Sequence, residues 1–95
     1  MLSTPPAHKN IAVVISLANA AILERIETYL YLIDDGVYNL GDPAIDALKN
    51  SGVRLFACAY GAKQRGIPID NKAVFSGLVV LSNMIKGCDR FITFN

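Results

Sequence analysis

The sequence predicts an α/β domain of three layers, with helices on both faces of a mainly parallel sheet. Three observations point to it. Short apolar runs rich in β-branched residues do not alternate with polar ones, as expected of strands buried on both faces. Segments of helical apolar spacing lie between them, and Gly, Pro and Asp mark the joints.

Residues 11–15, Ile-Ala-Val-Val-Ile, read as the first buried strand. Leu17, Ala18, Ala21, Ile22 and Ile26 then recur at helical spacing, with Asn19, Glu24 and Arg25 free to face water. Residues 28–33 form the second expected strand, halted by the turn sequence Asp34-Asp35-Gly36. Asp42-Pro43 supplies a helix N-cap and a first-turn proline; Ile45 and Leu48 share one face, and Asn50-Ser51-Gly52 closes the helix.

Residues 53–57 return to strand, with Cys58 at its carboxyl end and a short helical turn closed by Gly66. Pro68, Asp70 and Asn71 form a connection. Phe75, Leu78, Val79, Ser82 and Ile85 mark a helix reaching about Lys86-Gly87, and residues 91–94 form the closing strand. The polar, proline-containing residues 1–9 read as a loose arm without the apolar core of an export signal, leaving residues 10–95 as one domain.

Composition excludes several function classes. Nine Lys and Arg balance eight Asp and Glu without a run of like charge, so neither nucleic acid nor a membrane surface is expected as a partner. The longest apolar stretch, residues 74–85, is interrupted by Ser76, Gly77, Ser82 and Asn83 and is shorter than a bilayer span. Two cysteines thirty residues apart and one histidine cannot build a four-ligand zinc site, so no metal is expected. The glycine signatures of phosphate cradles and the GxSxG elbow are missing, which argues against a nucleotide or flavin cofactor and a conventional hydrolase. With no export signal, reduced thiols and a cytoplasmic location are expected.

In an open parallel sheet, ligands and chemistry gather beyond the carboxyl ends of the strands. Ser16, Asp34, Asp35 and Cys58 all fall there on this reading. Cys58 precedes a helical turn, with Lys63 and Arg65 five and seven residues on and Tyr60 offering a hydroxyl; helix starts and cations both favour a thiolate. Small cysteines also end buried strands simply as packing residues. Cys88, between a helix end and the last strand, is expected only to pack, and His8 to be solvated in the arm. Asp34-Asp35 fits a capped turn better than a carboxylate pair, since neighbours on an extended chain point apart.

Three ordered segments carry a family resemblance. They are residues 31–38 (Tyr-Leu-Ile-Asp-Asp-Gly-Val-Tyr), residues 52–59 (Gly-Val-Arg-Leu-Phe-Ala-Cys-Ala) followed by Arg65-Gly66-Ile67, and residues 85–94 (Ile-Lys-Gly-Cys-Asp-Arg-Phe-Ile-Thr-Phe). In order and spacing the chain resembles the DsrE/DsrF-like sulfur-relay family, which includes YchN-like proteins. The resemblance implies a DsrEFH-like fold and assembly into dimers, trimers or hexamers, which would cover the surplus of a chain that is 53% hydrophobic. It further implies that Cys58, closing the third expected strand ahead of Arg65-Gly66, accepts sulfane sulfur from a donor protein as a persulfide and passes it to an acceptor. That chemistry needs no resolving cysteine, metal or cofactor. A non-catalytic assembly or small-ligand-binding subunit is the competing expectation. The chain departs from the family pattern after its first expected strand, where only Ser16 and Leu17 stand in for a longer loop.

Overall fold

The computed structural model describes residues 1–5, 9–70 and 72–95. His8 and Asn71 lie outside the described residues. The elements run α1 (Asn10–Leu23), β1 (Tyr29–Leu32), a 3-10 turn (Asp34–Asn39), α2 (Pro43–Asn50), β2 (Arg54–Cys58), α3 (Ala59–Gln64), β3 (Val74–Ser76) and α4 (Leu78–Gly87).

The three strands form a parallel sheet in the order β1-β2-β3, with Leu30 opposite Leu55 and Ala57 opposite Phe75. Side chains leave alternate faces of each strand. Leu30, Leu32, Leu55 and Ala57 join Val14 and Ala18 of α1 and Ile45 and Leu48 of α2 in one apolar cluster. Tyr31 and Cys58, with Phe56 beside them, pack on the other face against Leu81 and Met84 of α4. This is the three-layer α/β arrangement expected.

The first expected strand is corrected: residues 11–15 belong to α1. Ile11, Val14, Ile15, Ala18 and Ile22 all reach the core, and their spacing is helical once the window extends back past Leu17. Strand propensity of a β-branched run is a weak preference that such packing overrides. The helix ends with Arg25 at φ 59° and Ile26 N–H donating to the Ala21 carbonyl at 2.9 Å, a Schellman closure with arginine in the left-handed position.

The strand position beside β1 is held by the start of the chain, which also corrects the loose-arm expectation over residues 1–3. Leu2 bridges Leu32 on one side and Phe94 on the other, both in parallel. Its N–H donates to the Tyr31 carbonyl at 2.9 Å, and its carbonyl accepts from Ile33 N–H at 3.0 Å. Ser3 N–H donates to the Phe94 carbonyl, Phe94 N–H to that of Met1, and Leu2 is fully buried. In sequence, residues 4–9 lie between this strand position and α1, and Ser16 and Leu17 join no strand to a helix.

Two boundaries near the C-terminus also shift. The helix expected from Phe75 begins only at Leu78, because Val74, Phe75 and Ser76 pair with β2 and Gly77 caps α4. The closing strand is reduced to a single bridge at Phe94. By contrast, α2 starts as read: the Asp42 carboxylate accepts from Ala44 N–H at 2.8 Å, Pro43 occupies the first turn, and Gly52 leaves at φ 113°. Among the described residues no helix is long and apolar enough to cross a membrane.

Candidate functional site

The carboxyl ends of β1 and β2 bring together the 3-10 turn and α3. Cys58 is both the last residue of β2 and the N-cap of α3. Its extended backbone turns the following residues into helix, and its sulfur accepts the Gly61 N–H at 3.4 Å, filling the place a serine or aspartate oxygen usually takes at a helix start. Cys58 is only 6% exposed and lies in the cluster under α4 with Tyr31 and Leu81. Tyr60, two residues on in the chain, and Gly77 and Leu78, which follow the register partner Ser76, are exposed.

Asp34 and Asp35 follow β1 directly. Asp34 takes a left-handed backbone, φ 52°, and a Cβ placed on Gly61 would stand 3.6 Å from both Asp34 N and the Cys58 Cβ. Asp35 accepts from Arg65 Nε at 3.0 Å, and Arg65 Nη1 donates to the Gly61 carbonyl at 3.3 Å. Arg65 thus ties the turn after β1 to the helix after β2.

Of the residues read as lining the site, Asp34, Asp35, Tyr60 and Arg65 cluster around the start and end of α3, with Cys58 at its start. Tyr60 is 69% exposed and its hydroxyl accepts from Gln64 Nε2 at 2.8 Å. Lys63 is exposed in the last turn of α3 and makes no ion pair with the described residues. Arg65 is engaged by Asp35 and the Gly61 carbonyl. Ser16 is corrected outright: it is exposed in the middle of α1, because the segment before it is helix and ends no strand.

Two residues escaped the sequence reading. Tyr31, 1% exposed, donates its hydroxyl to the Ser76 carbonyl at 3.2 Å and lies within 3.4 Å of the Gly77 carbonyl. Burial pushes the Tyr31 phenol above its usual value; the Ser76 side chain beside it acts in the opposite sense, and the Cys58 thiol adds to the rise. Ser76 is the register partner of Cys58 across β2 and β3, and its hydroxyl oxygen is buried without a hydrogen bond. Starting the helix at Phe75 hid this pairing. The β-branched and aromatic pair Val74-Phe75 ahead of Ser76-Gly77 was the available sign of a strand end.

Cys58 lines neither of two surface recesses among the described residues. A groove of about 710 Å³ runs along the start of β1 between Leu17 and Ala21 of α1 and Cys88, Phe91 and Ile92. A smaller one of about 330 Å³ lies between Tyr38, Leu40, Ile67 and Pro68. Both cysteines are free thiols, and no cluster of metal-ligating side chains occurs among the described residues.

The fold is similar to that of a solved structure, the ychN protein from E. coli, with a TM-score of 0.82 at 19% sequence identity over 98% of this chain and 93% of that one. No curated protein matches the sequence. The model of the DsrE/DsrF-like family matches residues 1–94, which includes the segment at residues 1–3 paired beside β1. The family is one associated with sulfur relay, and this chain, from its first paired residue to its last strand position, belongs to the DsrE/DsrF-like family.

Proposed function

We propose that the chain is a sulfur carrier in which Cys58 accepts sulfane sulfur as a persulfide and hands it to an acceptor thiol. The observation that carries this reading is the place of the sulfur: at the carboxyl end of a parallel strand, capping α3 and receiving the Gly61 N–H at 3.4 Å. Membership of a family associated with sulfur relay supports it. In the step, the Cys58 thiolate attacks the outer sulfur of a donor persulfide. The Cys58 S–S bond forms, the donor S–S bond breaks, and the donor thiolate leaves with the bonding electrons and takes up the proton. No net oxidant is needed. On release, Cys58 is itself the leaving thiolate, and the Gly61 N–H stabilises the charge that returns to it.

Partners in this reading are a donor and an acceptor protein, together with further copies of the chain. Leu78, Val79 and Ile85 on α4 and Phe91 and Ile92 beyond it are exposed, Val79 by 75%, and copies meeting there would cover them. The same apolar surface, with a thiol only 6% exposed, favours a second reading as a non-catalytic assembly subunit. Incubation with glutathione persulfide followed by intact mass measurement and peptide mapping separates the two. The carrier gains one sulfur atom on Cys58, and Cys58→Ser does not. Wild type that stays unloaded, or a Cys58→Ser variant that loads equally, leaves the assembly reading standing.

A further inference from the structure

Around Cys58 the polar groups divide into those that are engaged and one that is not. The Gly61 N–H is already directed at Sγ. The Tyr31 hydroxyl, nearly fully buried, donates to the Ser76 carbonyl at 3.2 Å and so secures the end of β3. The Ser76 hydroxyl has no partner, although its oxygen is shut off from solvent. A buried donor left unmade is costly and uncommon, and calls for a reason.

Its position supplies one. Ser76 and Cys58 are Cα partners on adjacent parallel strands. Neighbouring strands lie about 4.8 Å apart, and paired residues project from the same face. The two side chains therefore stand side by side under α4, where Tyr31 senses both of them. A persulfide adds one sulfur about 2.05 Å from Sγ. That atom carries the negative charge of the loaded form and is a new acceptor beside the unpaired Ser76 hydroxyl.

We propose that Ser76 is a binding residue for the transferred sulfur, its hydroxyl donating to the outer sulfur atom once Cys58 carries it. The proposal rests on the carrier reading of Cys58 and deepens it: the inner sulfur is held by Gly61 N–H, the outer by Ser76, and Tyr31 keeps β3 in register for both. The empty thiol does not use the contact, so Ser76 favours the loaded form over the empty one.

The test compares wild type, Ser76→Ala and Ser76→Thr, each equilibrated with fixed ratios of glutathione persulfide to glutathione and read by intact mass. Alkylation of the unloaded Cys58 is measured in parallel. Removing a hydrogen bond made only to the charged, loaded form lowers the exchange constant of Ser76→Ala about tenfold. Ser76→Thr keeps the hydroxyl on a β-branched residue suited to a strand and stays within about twofold of wild type. Alkylation of the empty thiol differs by less than about twofold among the three. If Ser76→Ala loads like wild type, if threonine fails to restore loading, or if alkylation changes as much as loading does, Ser76 is not a ligand of the sulfur, while the carrier reading survives. If wild type takes up no sulfur, both readings fall together.

Discussion

Gly36 lies directly against the main chain of Leu2: a Cβ at Gly36 would overlap the Leu2 carbonyl oxygen and stand 2.8 Å from the carbonyl carbon. That carbonyl is already used, accepting the Ile33 N–H at 3.0 Å, and Leu2 is locked between β1 and Phe94. Neither partner can retreat. The glycine of the Asp-Asp-Gly sequence is thus required by close approach of two backbones rather than by a left-handed turn.

Gly36→Ala is accordingly expected to cost about 3 kcal/mol, at the upper end of ordinary overpacking, because backbone and not a flexible side chain must move. Chemical denaturation measures it as a lowered midpoint with an unchanged slope. A loss below about 0.5 kcal/mol would mean that the start of the chain is not held where described.

Tyr31 makes stability sensitive to alkali. Its phenol is raised above the ordinary 10.0, first by burial. Above pH 10 the unfolded chain ionises there while the folded one resists, so the unfolded state binds fewer protons. The stabilisation is complete below that pH and is lost as pH rises through the folded value. Tyr31→Phe is expected to lose about 1 kcal/mol at neutral pH, with its bond to the Ser76 carbonyl, and to show a shallower decline above pH 10 than wild type. Urea unfolding between pH 8 and 11 provides the comparison, and parallel curves would refute it.

Arg65 and Asp35 form a pair whose side chains are 21% and 54% exposed, so solvent screens it and its loss is worth about 0.5–1 kcal/mol. Arg65→Ala is expected to cost more than Asp35→Asn, because it also releases the Gly61 carbonyl. In a double-mutant cycle the coupling between the two positions shrinks at 1 M salt, where the Debye length is about 3 Å. Coupling that is unchanged by salt would show the ion pair to be energetically idle.

Local chemistry made part of this protein legible before its structure. The cap at Asp42-Pro43, the stop at Gly52, and the placement of Cys58 at a strand end ahead of a turn ending in Arg65-Gly66 follow from side-chain hydrogen bonding and backbone freedom, which act over a few residues. The run Ile11-Ala-Val-Val-Ile misled because β-branched residues suit a strand and also fit a helix packed along one face.

What the sequence determined by itself is the parallel α/β character, the position of Cys58 and the family it belongs to. Tertiary structure alone decided that residues 1–3 occupy the strand slot, that Ser16 lies on an exposed helix face, that Arg65 pairs with Asp35, and that Tyr31 and Ser76 lie beside Cys58. The physical reason is range. Capping and periodicity are local, whereas strand neighbours such as Leu2 with Phe94 and Cys58 with Ser76 are chosen by burial and backbone pairing across the whole fold.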